Sequence, residues 1–112
     1  MRAEALKGHL DGLLLAALEA GPLHGYAVKE ALRESTEGRI DLPTGTVYPA
    51  LHRLERAGLI SGSWSVVGGR RRRSYALTPA GHVALGGERA GWREFASAVT
   101  AALKVSSWPA TS

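Results

Sequence analysis

A chain of 112 residues with a 45% hydrophobic share sustains one domain and a modest core. It has no cysteine, which excludes disulfides and thiolate chemistry and fits a reducing cytoplasm. The net charge of +4 is concentrated in Arg70, Arg71, Arg72 and Arg73, because the other ten Lys and Arg match the ten Asp and Glu, and an excess held in one short segment points to nucleic-acid phosphate.

The opening residues, Met1-Arg2-Ala3-Glu4-Ala5-Leu6-Lys7, are broken by charge and do not read as a signal peptide. No apolar stretch approaches membrane-spanning length. Leu6, Leu10, Leu13, Leu14, Ala17 and Leu18 recur at helical steps, so a first helix is expected over residues 3–20, ended by Gly21-Pro22. His9 lies off that stripe and reads as a partly exposed surface residue. Leu23-His24-Gly25-Tyr26 opens a second helix to about Ser35, with Val28, Ala31 and Leu32 toward the core. A polar turn over residues 36–41 leads to a third helix, with Thr44 as its expected N-cap and Gly58 as the left-handed residue after its end. Val47, Ala50, Leu51 and Leu54 form its apolar face. The opposite face carries Gly45, Thr46, Pro49, His52, Arg53 and Arg56 and no acid.

After Gly58 the period becomes strand-like. Residues 59–66 form one strand, Val67-Gly68-Gly69-Arg70 a tight turn, and residues 71–77 the returning strand. Trp64 is expected in the core of this hairpin. Thr78 caps a last helix with Pro79 in its first turn, running to about Lys104. Trp92, Phe95, Val99, Ala102 and Leu103 form its apolar stripe. Gly86, Gly87 and Gly91 each cost about 1 kcal/mol relative to Ala there, so either the helix bends or another backbone comes close.

Two helices joined by a short connection, then a hairpin with a basic tip, form a winged helix-turn-helix. The polar face of the third helix suits the major groove of DNA. Thr44 and Thr46 at its start suit a phosphate. Tyr48 either presents its phenol to a phosphate or base edge, or packs on the flank of the helix. Arg53 is the expected base reader, since guanidinium pairs bidentately with guanine, and His52 the expected phosphate or water contact. Arg70 and Arg71 at the wing tip are expected on the DNA backbone or in the minor groove. Alternation along a strand prevents all four arginines from pointing one way, so Arg72 or Arg73 partly serves the fold. Tyr26 and Lys29 are expected near a flanking phosphate. Trp92, with Phe95 and Val99, lies either in a dimer core or against a flat aromatic ligand.

Gly21-Pro22-Leu23-His24-Gly25-Tyr26, then residues 45–54 (Gly-Thr-Val-Tyr-Pro-Ala-Leu-His-Arg-Leu), then Gly68-Gly69-Arg70 and Tyr75-Ala76-Leu77-Thr78 resemble the PadR family of bacterial transcriptional regulators. The resemblance covers roughly residues 5–104 and suggests the short subfamily, with a single C-terminal helix. It implies a winged-helix domain over residues 1–78, a dimerisation helix over 79–104 and a disordered tail over 105–112. The fold class is then mainly α with a small β-hairpin. The resemblance further implies a cytoplasmic homodimer acting as a repressor at a palindromic operator in double-stranded DNA, commonly relieved by a small molecule. It places Trp92 where some multidrug-binding members carry a tryptophan facing its twin. Gly86, Gly87 and Gly91 depart from relatives, which usually have better helix formers there.

An enzyme is not expected. His9, His24, His52 and His82 are scattered, no HExxH spacing occurs, and Gly68-Gly69 lacks the lysine and following helix of a phosphate-binding loop. No metal, cofactor or membrane partner is implied. The alternative is a winged-helix module that binds protein without DNA, which would not need its whole charge excess at the wing tip.

Overall fold

The computed structural model describes Met1 and residues 3–105. Among these, the elements run as a 3₁₀ turn Ala3–Leu6, then α1 Leu10–Ala17, β1 Leu23–His24, α2 Gly25–Ser35, α3 Thr44–Arg56, β2 Ile60–Val67, β3 Arg70–Leu77 and α4 Pro79–Leu103. The single first helix expected over residues 3–20 is therefore two pieces. Gly8 adopts φ +88°, and this left-handed residue breaks the helical run. The opening of the second helix also differs: Leu23 and His24 pair with Tyr75 and Ser74 of β3, and α2 begins only at Gly25. The strands form one antiparallel sheet in the order β1-β3-β2. Of the expected tail, all but Val105 lies outside the described residues.

The interior of the winged helix is where the apolar spacing put it. Leu14, Leu15 and Leu18 of the first helical segment meet Val28 and Leu32 of α2 and all four apolar residues of α3, with Ile60 and Tyr75 closing the base of the hairpin. Ala31 is half-buried. The N-cap of α3 is Pro43 rather than Thr44. Leu42 is buried just before it, and Pro43 is itself the extended residue, its ring holding φ at −71°, so the chain turns into the helix one residue early. The Thr46 and Val47 amides donate to the Pro43 carbonyl. At the other end Gly58 is left-handed at φ +78°. Leu59 N–H donates to Leu54 and Gly58 N–H to Glu55, a complete Schellman motif.

The Gly68-Gly69 turn has φ +58° and +77°, as a primed two-residue hairpin requires. It sets the register Val67↔Arg70 and, three pairs down, Trp64↔Arg73. Thr78 joins the hairpin to α4: its hydroxyl accepts from the Gly81 amide at 3.0 Å and donates to the Gly58 carbonyl at 2.7 Å. Helix α4 runs unbroken through Gly86, Gly87 and Gly91, and a Cβ at any of the three would meet no described atom within 4 Å beyond its own stretch of helix. The close approach entertained for these glycines is not made by the described part of this chain. Arg89 of α4 holds Glu19 through two hydrogen bonds of 2.9 and 2.7 Å. Beyond Leu85 the helix leaves the core. Trp92 and Phe95 stand about half exposed, against each other and against His9, whose ring meets Trp92 edge-on at 5.1 Å. No described helix is long and apolar enough to cross a membrane.

Candidate nucleic-acid interface

A groove of about 500 Å³ opens between α3, the wing and the start of α2. Its floor depends on a glycine. Gly25 is buried, and a Cβ at that position would collide with the Tyr48 ring. The ring therefore lies across the first turn of α2, while its edge lines the groove. Tyr48 thus combines the two roles open to it, flank packing and display in the groove. His52, one turn further along α3, and Tyr26, at the start of α2, complete this side.

The wing supplies the other side. Pairing sets Arg71 and Arg73 on the face that carries Trp64 and Val66, and Arg72 on the face of Ser65 and Ser74. Trp64, expected in the core, is 58% exposed. The wing extends past the interior, so only the base of the hairpin reaches the core. The indole instead lies beneath two guanidiniums, Arg71 at 4.5 Å and Arg73 at 5.2 Å from its ring centre. Arg73 also bonds to Glu55 of α3, which holds its guanidinium further into the charged state. Arg72 reaches back to the Nε2 of His24 at 3.0 Å. Arg70 is exposed at the tip. Burial chiefly, with Glu55 adding to it, raises the pKa of the Tyr75 phenol at the back of the groove. No acid lines the groove among the described residues.

Three expected contacts lie elsewhere. Arg53 turns toward α1 and grips Asp11 through bonds of 2.9 and 2.7 Å, so the assigned base reader faces away from the groove with its fork occupied. The Asp11 carboxylate raises the Arg53 pKa further. The reason is angular: one residue past His52 on a helix is a rotation of about 100°, which carries Arg53 round to the side α1 covers. Lys29 bonds to Asp41 at 2.7 Å, which raises the lysine pKa and lowers that of the carboxyl. Thr46 lines a separate hollow with Lys7 and Leu10, while Thr44 is exposed at the first residue of α3. Of the three apolar candidates on α4, Val99 is 36% exposed and Trp92 borders a second, more apolar groove of about 480 Å³ against α1, where Leu13 and Ala16 face it.

Sequence reasoning missed His24, Gly25, Trp64 and Tyr75 as groove residues. For Trp64 the signal was present: a two-residue Gly-Gly turn fixes the register, and counting outward from it pairs the tryptophan with Arg73. For His24 and Gly25 no local pattern could do so, since their place depends on β1 pairing with β3.

Residues 14–87 match the Transcriptional regulator PadR-like family. The transcriptional regulator Rv3488 of Mycobacterium tuberculosis is 51% identical over 55 residues, 49% of this chain, and the matched stretch spans only about half (51%) of that protein's length. A PadR family regulator from Eggerthella lenta superposes with a TM-score of 0.80 at 30% identity, covering 92% of this chain and 88% of its own. One from Clostridium difficile does so at 0.72 and 33%, covering 86% and 98%. Bacillus subtilis PadR, solved in complex with operator DNA, matches with a TM-score of 0.64 at 25% identity, over 70% of this chain and 45% of its own. With the family spanning well over half the sequence and the winged-helix fold shared throughout, this chain belongs to the PadR-like family of transcriptional regulators.

Proposed function

We propose that this regulator is a cytoplasmic homodimer that binds a palindromic operator and represses transcription, and that a small aromatic effector relieves repression. The observation that carries the reading is the groove, which joins the polar side of α3 to the arginine-rich wing and has no acid in its lining among the described residues. Helix α3 would enter the major groove with Tyr48 and His52 toward the bases. Arg70, Arg71 and Arg72 would reach backbone or minor groove, while Arg73, tied to Glu55, fixes the wing angle. The division into a DNA-binding unit over residues 1–78 and a dimerisation helix over 79–104 follows from this. The exposed Trp92, Phe95 and Val99 would face a second copy, and an effector would sit between the two Trp92 rings. Similarity to a PadR solved on its operator supports the DNA partner.

The test is mobility shift on the protein's own upstream DNA, with salt titration and random duplex as competitor. The expected result is preferential retardation whose affinity falls steeply with salt, since each neutralised phosphate contributes about −0.9 to the logarithmic slope. Absence of retardation at low salt would overturn this reading in favour of a protein-binding winged helix.

A further inference from the structure

His24 enters the groove from the junction of β1 and α2. Its Nδ1 is the N-cap acceptor of α2, 3.4 Å from the Ala27 amide, and its Nε2 lies 3.0 Å from Arg72 Nη1. Both neighbours can only donate, one being a backbone N–H and the other a guanidinium. A neutral imidazole has one lone pair and one N–H, so it accepts from one neighbour and turns its own N–H against the other. A protonated ring accepts from neither. In the free chain, then, every protonation state sets two N–H groups against each other. The other groups around the ring do not resolve this. Tyr26, Tyr48 and His52 line the groove beside Arg71, and Glu55 is taken by Arg73. An anionic oxygen that accepts from both Nε2–H and the guanidinium, with Arg72 drawn aside to admit it, resolves it at once.

We infer that His24 and Arg72 together clamp one phosphate. Arg72 turns its fork to the anion. His24 keeps its Nδ1 lone pair on the Ala27 amide and donates Nε2–H to the same phosphate, so ligand binding and capping of α2 reinforce each other. This rests on the DNA-binding reading of the groove, and the phosphate is one of the duplex backbone.

Long-range nitrogen–proton NMR on the full chain above the ordinary imidazole range reads the tautomer directly. The probes are a short duplex of arbitrary sequence at low salt and, separately, inorganic phosphate. The expected result is that His24 in the duplex complex is in the Nε2–H form with that hydrogen protected from exchange. His24→Ser retains a capping oxygen but cannot reach a phosphate. It should bind duplex about tenfold more weakly, the lower end for a hydrogen bond to a charged group, with an unchanged thermal midpoint, and its loss should not add to that of Arg72→Ala. If the native chain binds duplex while His24 Nε2 carries no exchange-protected hydrogen in the complex, or if His24→Ser binds as tightly, the clamp is overturned and the DNA reading stands. If the native chain binds no duplex, both fall. If inorganic phosphate protects that hydrogen at lower phosphate concentration than duplex does, the DNA backbone is the wrong source.

Discussion

At the scale of single residues, two positions in the groove invert what their chemistry suggests in isolation. A tryptophan in a strand ordinarily signals interior, and truncating one in a core costs about 3–5 kcal/mol. Trp64 is exposed beneath Arg71 and Arg73, where a cation–π contact contributes about 0.5–1 kcal/mol. Trp64→Ala should therefore change stability by no more than about 1 kcal/mol in urea melts while weakening duplex binding several-fold, because the wing guanidiniums lose their support. A stability loss of core size would contradict this placement. Gly25 is the converse case. It has helical geometry that any residue could adopt, yet the Tyr48 ring occupies the space of its Cβ. Gly25→Ala should cost about 1–3 kcal/mol by overpacking, measured as a shift in the urea midpoint, and should dislodge Tyr48 from the groove floor.

At the scale of elements, ion pairs lock the helices to one another. The Asp11–Arg53 pair ties α1 to α3 through half-exposed side chains, so its contribution to stability is at most about 1 kcal/mol. Its larger effect is on charge: it keeps one guanidinium out of the groove. Asp11→Asn should release Arg53, tighten binding to arbitrary duplex and steepen the logarithmic salt slope by about one unit. Arg53→Ala should leave that slope unchanged, and a flattened slope in this variant would show that Arg53 already contacts phosphate. The Glu19–Arg89 pair ties α1 to α4, and the Arg89 guanidinium holds the Glu19 carboxyl below the usual carboxylate range. A depressed native pKa means that the pair stabilises the fold above the unfolded value, near 4.3, and that this contribution is lost as pH falls through the native value. Glu19→Gln should flatten that part of the acid limb in thermal melts recorded against pH.

For the whole molecule, the open question is what covers α4. Its first half is anchored by the Thr78 cap, buried Leu85 and the Glu19–Arg89 pair, whereas the stripe of Trp92, Phe95 and Val99 stays about a third to a half exposed on a single copy. A homodimer that buries this face should dissociate when Trp92 and Phe95 are both replaced by Ala, seen as halved mass in sedimentation. Operator affinity should fall with it, because two half-sites must be engaged together. A variant that remains dimeric would place the interface elsewhere.

Much of this organisation was legible in the residues. The apolar spacing of Val47, Ala50, Leu51 and Leu54 depends only on helical geometry, the Gly68-Gly69 turn only on which residues tolerate positive φ, and the Thr78-Pro79 start of α4 only on local capping. These are short-range properties, and a one-dimensional pattern records them. The tertiary structure alone decided which charges line the groove and which meet each other. Arg53 and Lys29 differ from Arg71 and Arg72 not in sign of charge but in having Asp11 and Asp41 delivered to them across 42 and 12 residues of chain. Likewise His24 reaches the groove only because β1 pairs with β3. Contacts between residues far apart in sequence follow from how the elements pack, and packing follows from the summed fit of all the apolar faces at once, which no single stretch of the chain contains.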